Sequence, residues 1–128
     1  MSHDTMGFVP DIVVCPGCEE RAEEKPWNAH PGFKGVALRH LITGKETDGT
    51  FSSHVVRVEP GCCLDSHVHE GQWELHEIMQ GTAVAQVGTK ELKYSVGSCA
   101  VIPKGVSHKV QAGEDGLMIL AKFVPALI

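Results

Sequence analysis

The pattern of apolar and polar positions divides the chain near residue 35. From Val36 onward, short runs rich in β-branched residues loosely alternate apolar and polar positions, as in "VALRHLIT" and "FSSHVVRVEP". This alternation predicts β-strands with one buried face. Turn signals recur about every 8–12 residues, and no helical period of useful length is present. The pattern is typical of an all-β sandwich or barrel.

Glycine-rich and polar stretches predict the connections between these strands. The stretch "ITGKETDGT" predicts a hairpin loop. Further turns are predicted at Val87-Gly88-Thr89-Lys90, at Lys104-Gly105 and at Glu114-Asp115-Gly116.

Residues 1–34 have a different character, and we expect them to form an N-terminal extension to a barrel that spans residues 35–128. Four prolines interrupt any long element there. We therefore expect irregular structure, with at most a short helix over Glu19–Lys25. The extension contains Cys15-Pro-Gly-Cys18, for which three interpretations remain open: half of a zinc site, a redox pair, or a turn that carries two thiols.

Length, composition and charge narrow the class of protein. A chain of 128 residues fits one domain, and 42% hydrophobic with 21% charged residues is typical of a globular rather than a disordered protein. The net charge of -5 and the pI near 5.9 argue against nucleic acid or an anionic membrane as the main partner.

The sequence also predicts a location. No stretch approaches the roughly 20 apolar residues of a membrane helix, and the first ten residues do not resemble a secretion signal. Five cysteines, an odd number, fit poorly with a secreted disulfide framework. We expect a cytoplasmic protein with reduced thiols, in which Cys62, Cys63 and Cys99 are small buried or half-buried fillers.

Chemistry-bearing residues are concentrated in "PGCCLDSHVHEGQWELHEIMQG", residues 60–81. His67 and His69 are two positions apart on a predicted strand, so their side chains point to one face. If the strand that starts after "EGQW" pairs with it, Glu74 can face the same cavity. Imidazole and carboxylate ligands together suit a first-row metal such as iron, manganese, nickel, cobalt or zinc.

The spacing of these residues resembles the two motifs of the cupin superfamily. The first motif reads Gly61-x5-His67-x-His69-x4-Glu74-x6-Gly81, and the second reads Gly97-x5-Pro103-x-Gly105-x2-His108. Ala112 stands where the second motif ends in Asn. The short spacing between Gly81 and Gly97 is similar to that of small single-domain bacterial cupins.

This resemblance implies the double-stranded β-helix, or jelly-roll, barrel of the cupins. It also implies that His67, His69, Glu74 and His108 bind one divalent first-row metal at the mouth of the barrel. The resemblance covers about residues 36–124, so the extension lies outside it.

Other polar residues near the motifs have more than one possible role. His76 shares the face of Glu74 and could be a hydrogen-bond partner of a ligand, an acid–base group near substrate, or a hydrogen-bonded interior histidine. Arg57 could clamp a substrate carboxylate if it faces inward, or be a surface residue. His54 has the opposite parity to Arg57, so only one of them can face the cavity. His40, on the preceding strand, is a further weak candidate for the site.

The resemblance favours a metal-dependent enzyme of dioxygenase, isomerase, lyase or decarboxylase type that acts on a small oxygenated metabolite. The alternative is a non-catalytic module that binds or senses a small molecule. A purely structural metal site is less consistent with a ligand set that leaves coordination positions open. We expect a homodimer, since exposed sheet edges would otherwise invite aggregation.

Overall fold

The structure, a computed structural model, describes residues 9–128 and is almost entirely β. Its elements follow the chain in this order: β1 (Ile12–Cys15), β2 (Cys18–Arg21), one 3-10 turn (Ala22–Glu24), β3 (Trp27–Ala29), β4 (Val36–Ile42), α1 (Gly44–Thr47), β5 (Ser52–Val58), β6 (Cys63–His67), β7 (Trp73–Val87), β8 (Lys90–Tyr94), β9 (Cys99–Ile102) and β10 (His108–Val124). The predicted jelly-roll barrel is confirmed.

Two long strands, β7 and β10, run through both halves of the barrel. Their first pairing, between Trp73–Gly81 and Leu117–Val124, lies at the centre of a larger sheet in the order β3-β4-β5-β10-β7-β9. Their second pairing, between 83–87 and 108–112, lies in a smaller sheet in the order β6-β10-β7-β8. All pairs are antiparallel.

The bend between the two sheets falls where β10 shifts register between Ala112 and Leu117. Sequence analysis predicted a turn at Glu114-Asp115-Gly116, but this segment lies within β10, as a bulge that redirects the strand. The backbones approach closely at this point. A Cβ atom on Gly81, whose φ is +83°, would overlap the carbonyl oxygen of Gly116.

The other predicted connections are found where expected, with one addition. Gly88 and Thr89 join β7 to β8, and a turn at Lys104-Gly105 precedes β10. The predicted loop "ITGKETDGT" contains the single helical turn α1. It forms because Thr43 accepts a hydrogen bond from Lys45 N–H, while the side chain of Glu46 accepts one from Thr43 N–H at 2.8 Å.

Apolar residues fill two regions, one on each face of the larger sheet. The interior between the sheets holds the main core, which includes Val58, Ile78, Val110, Ile119 and Phe123. A second cluster lies on the outer face and comprises Val13, Ala22, Leu41, Val55, Met79 and Leu120. Residues of the N-terminal extension therefore cover part of the sheet that would otherwise meet water.

The extension is more regular than its sequence predicted. β1 and β2 form a hairpin whose turn is Pro16-Gly17, and β3 pairs with β4 at the edge of the larger sheet. The expected short helix is reduced to the 3-10 turn at Ala22–Glu24. Proline prevents long elements but permits short edge strands, which explains the difference. The division at residue 35 stays a prediction.

Among residues 9–128, no helix has the length and apolar character required to cross a bilayer.

Gly81→Ala should lower the free energy of unfolding by about 3 kcal/mol or more, because the added Cβ must push β7 away from β10. Gly49→Ala is the matched control: Gly49 also has a positive φ, +76°, but nothing lies within 4 Å of its Cβ position. There, only the backbone penalty of about 1 kcal/mol is expected. Urea denaturation measures both, and equal losses would contradict the close approach.

Candidate metal centre

The two histidines of "HVH" lie at the end of β6 and just beyond it. His67 is the last residue of β6, and its Cα is paired with that of His108 at the start of β10. His69 lies in the following loop, where its carbonyl oxygen accepts a hydrogen bond from Gly105 N–H at 3.0 Å. This bond ties the loop that carries His69 to the turn that precedes His108.

Three imidazoles come together at this end of the barrel. The possible ligand atoms of His67, His69 and His108 all lie within 4.8 Å of one another. Glu74, on β7, reaches the same place: its Oε1 lies 3.2 Å from His108 Nε2 and 3.7 Å from His69 Nε2. The four residues that the cupin motifs single out are therefore neighbours in space, and the histidine cluster could bind a metal.

Two buried atoms, one on His108 and one on Glu74, indicate whether the site fits a metal. His108 Nε2 and Glu74 Oε1 are buried, and neither has a hydrogen-bond partner with acceptable geometry. A buried polar atom without a partner is costly, and a carboxylate oxygen more so than a neutral group. A cation between the imidazole nitrogens and the carboxylate would satisfy both atoms, so the donor set fits a divalent transition metal.

Hydrogen bonds to the backbone orient two of the imidazoles. His67 Nδ1 lies 2.8 Å from the carbonyl oxygen of Asp65, and His108 Nδ1 lies 3.3 Å from that of Val106. A carbonyl can only accept, so both Nδ1 atoms carry a proton, and in the neutral form of each ring Nε2 keeps the lone pair. This is the tautomer that metal ligation through Nε2 requires.

Burial also favours the neutral form of two imidazoles of the cluster, those of His67 and His69. It lowers the pKa of His67 to about 4, and neighbouring histidines add to the effect. Burial lowers the pKa of His69 as well, with smaller contributions in the same direction from His108, His76 and His30. Neutral imidazoles at physiological pH can bind metal without first losing a proton.

A buried chain of hydrogen bonds holds Glu74 in place. His76 Nε2–H donates to Glu74 Oε2 at 2.7 Å, and the Tyr94 hydroxyl oxygen lies 2.9 Å from His76 Nδ1, within hydrogen-bond distance. Only 2% of His76 and 3% of Tyr94 is exposed. With one carboxylate oxygen engaged by His76, the other remains directed at the histidine cluster.

The electrostatics of this chain favour an ionised Glu74. Burial alone would raise the pKa of Glu74, but the close approach of His108 and His76 outweighs it and holds that pKa well below its usual range. Burial and the Glu74 charge together raise the pKa of Tyr94 to about 12, so the hydroxyl keeps its proton. The chain thus places a fixed negative charge at the cluster.

Sequence reasoning identified His76 but missed Tyr94, the only tyrosine of the chain. Tyr94 ends β8, in the smaller sheet, whereas His76 lies in the part of β7 that belongs to the larger sheet. Their contact depends on how the sheets face each other. The sequence could have identified Tyr94 only as a tyrosine at the end of a predicted strand. Whether its side chain points into the barrel depends on the strand register.

The structure places Arg57 away from the cluster. Its neighbours Val56 and Val58 point into the main core, so Arg57 points outward from the larger sheet. Its guanidinium carbon lies 4.1 Å from the centre of the Trp27 ring, and its Nε lies 3.2 Å from Glu59 Oε2. The carboxylate-clamp interpretation does not fit this position.

The alternation that turns Arg57 outward turns His54 inward. His54 Nδ1 lies 2.8 Å from His40 Nδ1, and His54 Nε2 lies 2.8 Å from Ser52 Oγ. Burial lowers the pKa of His54 to about 4. Phe123 contacts the rings of both His54 and His69, so this pair is separated from the cluster by one aromatic ring.

All five cysteines are free thiols. Cys15 and Cys18 face each other across the Pro16-Gly17 turn, which fits the interpretation as a turn with two thiols. Within residues 9–128, the one group of three or more possible metal ligands is the histidine cluster described above. The redox interpretation of the pair stays a prediction.

Comparison with known proteins identifies the class to which this fold and cluster belong. Residues 54–121 match the family described as cupin domain. The match spans more than half of the chain and includes every residue of the histidine cluster. This chain therefore belongs to the cupin family, and the resemblance found in the sequence is confirmed.

Individual relatives add detail. An oxalate-binding protein of Thermotoga maritima is 27% identical over 108 residues, which cover 82% of this chain and 88% of that protein. A solved structure described as a predicted oxalate decarboxylase from Thermotoga maritima shares 23% identity, with a TM-score of 0.73 over 82% of this chain and 96% of that one. KdgF from Halomonas sp. shares 19% identity, with a TM-score of 0.70 over 80% and 90% of the two chains. At these identities the two structures support the fold alone.

Replacing a histidine of the cluster tests its ability to bind metal. His67→Ala and His108→Ala should each reduce bound metal from about one per chain to near zero, while far-UV circular dichroism keeps the β signature, since both residues lie at strand ends. The measurement is metal content by mass spectrometry. His40→Ala, a half-buried histidine outside the cluster, should keep its metal, and full metal in either cluster variant would contradict the assignment.

Tyr94→Phe tests the hydrogen-bond chain behind Glu74. The variant removes one hydroxyl and leaves the ring, so we expect metal affinity to fall roughly 10-fold, within the 10–100-fold range typical for losing such a supporting bond. Competition with a metal-binding dye gives the affinity. Unchanged affinity would mean that Glu74 is held without the help of Tyr94.

Proposed function

We propose that this chain binds one divalent first-row transition metal through His67, His69, Glu74 and His108 and acts as a metal-dependent enzyme on a small carboxylate. The observation that carries the proposal is the pair of buried, unpaired atoms, His108 Nε2 and Glu74 Oε1, where three imidazoles meet one carboxylate. Iron, manganese, nickel, cobalt and zinc are all compatible with three imidazoles and one carboxylate.

The ligand set supports catalysis because it does not fill the coordination sphere. His67, His69, Glu74 and His108 would hold the metal and leave it accessible to a ligand, and the metal would supply Lewis-acid chemistry toward a substrate oxygen. The chain contributes fixed geometry: the backbone bonds of His67 and His108 direct Nε2 at the cluster, and His76 directs Glu74. The Glu74 carboxylate supplies the compensating negative charge.

Oxalate is the first substrate to examine. The names of the two Thermotoga maritima relatives refer to oxalate binding and oxalate decarboxylation. A decarboxylase would convert oxalate and one proton to formate and carbon dioxide, with no net oxidation. Other lyase, isomerase and dioxygenase reactions of small carboxylates use the same kind of site, so they are assayed after oxalate decarboxylation.

A non-catalytic carboxylate-binding protein is the second candidate, and a specific observation favours it. Both ring nitrogens of His76 are engaged inside the barrel, and Arg57 lies on the outer face. The two groups proposed from sequence as acid–base residue and clamp are thus not available to a bound ligand. We propose that His76 instead positions Glu74.

Metal content and turnover together separate these candidates. The protein is purified without an affinity metal or a chelator, and its metal is measured per chain. With about one metal per chain, we expect oxalate to bind and formate to appear, and Glu74→Gln to reduce both. Binding without any product from oxalate or other small carboxylates would favour the binding protein. A wild-type chain that takes up none of the five metals would overturn the proposal.

Location and assembly remain proposals. We propose a cytoplasmic homodimer, a location consistent with five free thiols. Light scattering after size exclusion measures the assembly, and a single 13.8 kDa species would contradict the dimer.

A further inference from the structure

We propose that His30 and Phe33, in the loop between β3 and β4, form the outer wall of the ligand site and select small dicarboxylates such as oxalate. This inference rests on the proposed function. Both residues lie in the N-terminal extension, outside the region that matches the cupin domain.

The loop that carries these residues is held rigidly. His30 N–H donates to the carbonyl oxygen of Val36 at 2.8 Å, which closes the loop at its base. At its far end, Gly35 has φ of +77° and packs so tightly on Cys62 that an added Cβ would overlap the thiol sulfur. The loop is therefore fastened to the segment that leads into β6 and the "HVH" histidines.

Phe33 brings this loop into contact with a proposed metal ligand. Its ring packs against the main core, and its centre lies 5.6 Å from the centre of the His67 ring. The side chain is half-buried, so part of the ring beside His67 stays exposed. A bulky, fixed ring beside the metal limits the length of ligand that can bind there.

His30 adds a hydrogen-bond donor to this wall. Its ring stacks on Phe33, with centres 4.4 Å apart and planes inclined by 19°. His30 Nδ1 accepts a hydrogen bond from Gly32 N–H at 3.0 Å, so the neutral imidazole must carry its proton on Nε2. That N–H has no partner among residues 9–128, and its nitrogen is not fully buried, so a ligand can reach it.

The chemistry of this donor indicates the ligand class. A dicarboxylate that binds the metal keeps carboxylate oxygens free to accept a hydrogen bond, and a bond to a charged oxygen is stronger than one between neutral groups. No arginine supplies it, since Arg39 and Arg57 stack on Trp27 outside the barrel and Arg21 pairs with Asp11 and Glu23. We assign recognition of the outer oxygens to His30 and the size limit to Phe33.

The test measures ligand binding, not turnover. Protein loaded with Co²⁺ is titrated with oxalate, succinate and acetate while its visible absorption is followed, and retained metal is measured afterwards to exclude stripping by oxalate. His30→Ala should weaken oxalate binding about tenfold and leave acetate binding unchanged, since acetate has no second carboxylate. His30→Gln, which keeps an N–H donor, should recover part of the loss.

Phe33→Ala addresses the size limit. We expect the preference for oxalate over succinate to shrink at least about fivefold, because the pocket gains room for the two extra methylenes. Circular dichroism shows whether Phe33→Ala is folded. Phe33→Leu keeps an apolar side chain at this position and serves as the second variant if Phe33→Ala does not fold. Lys34→Ala is the control in the same loop: it removes an exposed charge and should change no dissociation constant more than twofold.

The outcomes separate this inference from the proposed function. Wild-type protein that binds metal and oxalate, with His30→Ala and Phe33→Ala indistinguishable from it, would overturn the inference alone. Equal weakening of acetate and oxalate by His30→Ala would also overturn it, since it would indicate damage to the metal site. Wild-type protein that binds no carboxylate would overturn both.

Discussion

The antiparallel pairing of β7 with β10 is the constraint on which the rest of the structure depends. These two strands are the only ones among residues 9–128 that run through both sheets, so the bend at Gly81 and Gly116 sets how the sheets face each other. Glu74 and His76 lie near one end of β7, and His108 begins β10. The distance between carboxylate and imidazole is thereby determined by the barrel itself. Loops add to that arrangement but do not create it.

This geometry buries the carboxylate of Glu74, which has an energetic cost. Glu74 is 6% exposed, and an ionised group at that depth must be compensated by hydrogen bonds or by opposite charge. His76 and Tyr94 supply part of the compensation from two different sheets, and the remaining oxygen faces His69 and His108. The main core and the candidate metal centre are therefore coupled through Tyr94, because its ring packs in the core and its hydroxyl contacts His76.

Spacing in the sequence was sufficient to predict the barrel and the histidine cluster, because the cupin motifs combine ligands with the turn glycines that position them. It was not sufficient for features that depend on register. Arg57 and His54 had opposite parity, but only the strand pairing decided which one pointed inward. Tyr94 reaches His76 across the barrel, a contact with no local signature. The edge strand β3 forms because β4 is available to pair with it, which no window of the sequence around Trp27–Ala29 can reveal.

The unequal anchoring of the four motif residues has a consequence for the rate of metal exchange. Glu74 and His108 are near the ends of their strands, but each is paired with a neighbouring strand on both sides. His67, in contrast, lies on an edge strand that pairs only with β10, and His69 lies outside any strand. Edge strands and loops open locally far more often than strands paired on both sides. For a metal bound as proposed, release would therefore be expected to begin where His67 and His69 can move away, and uptake would be expected to end there.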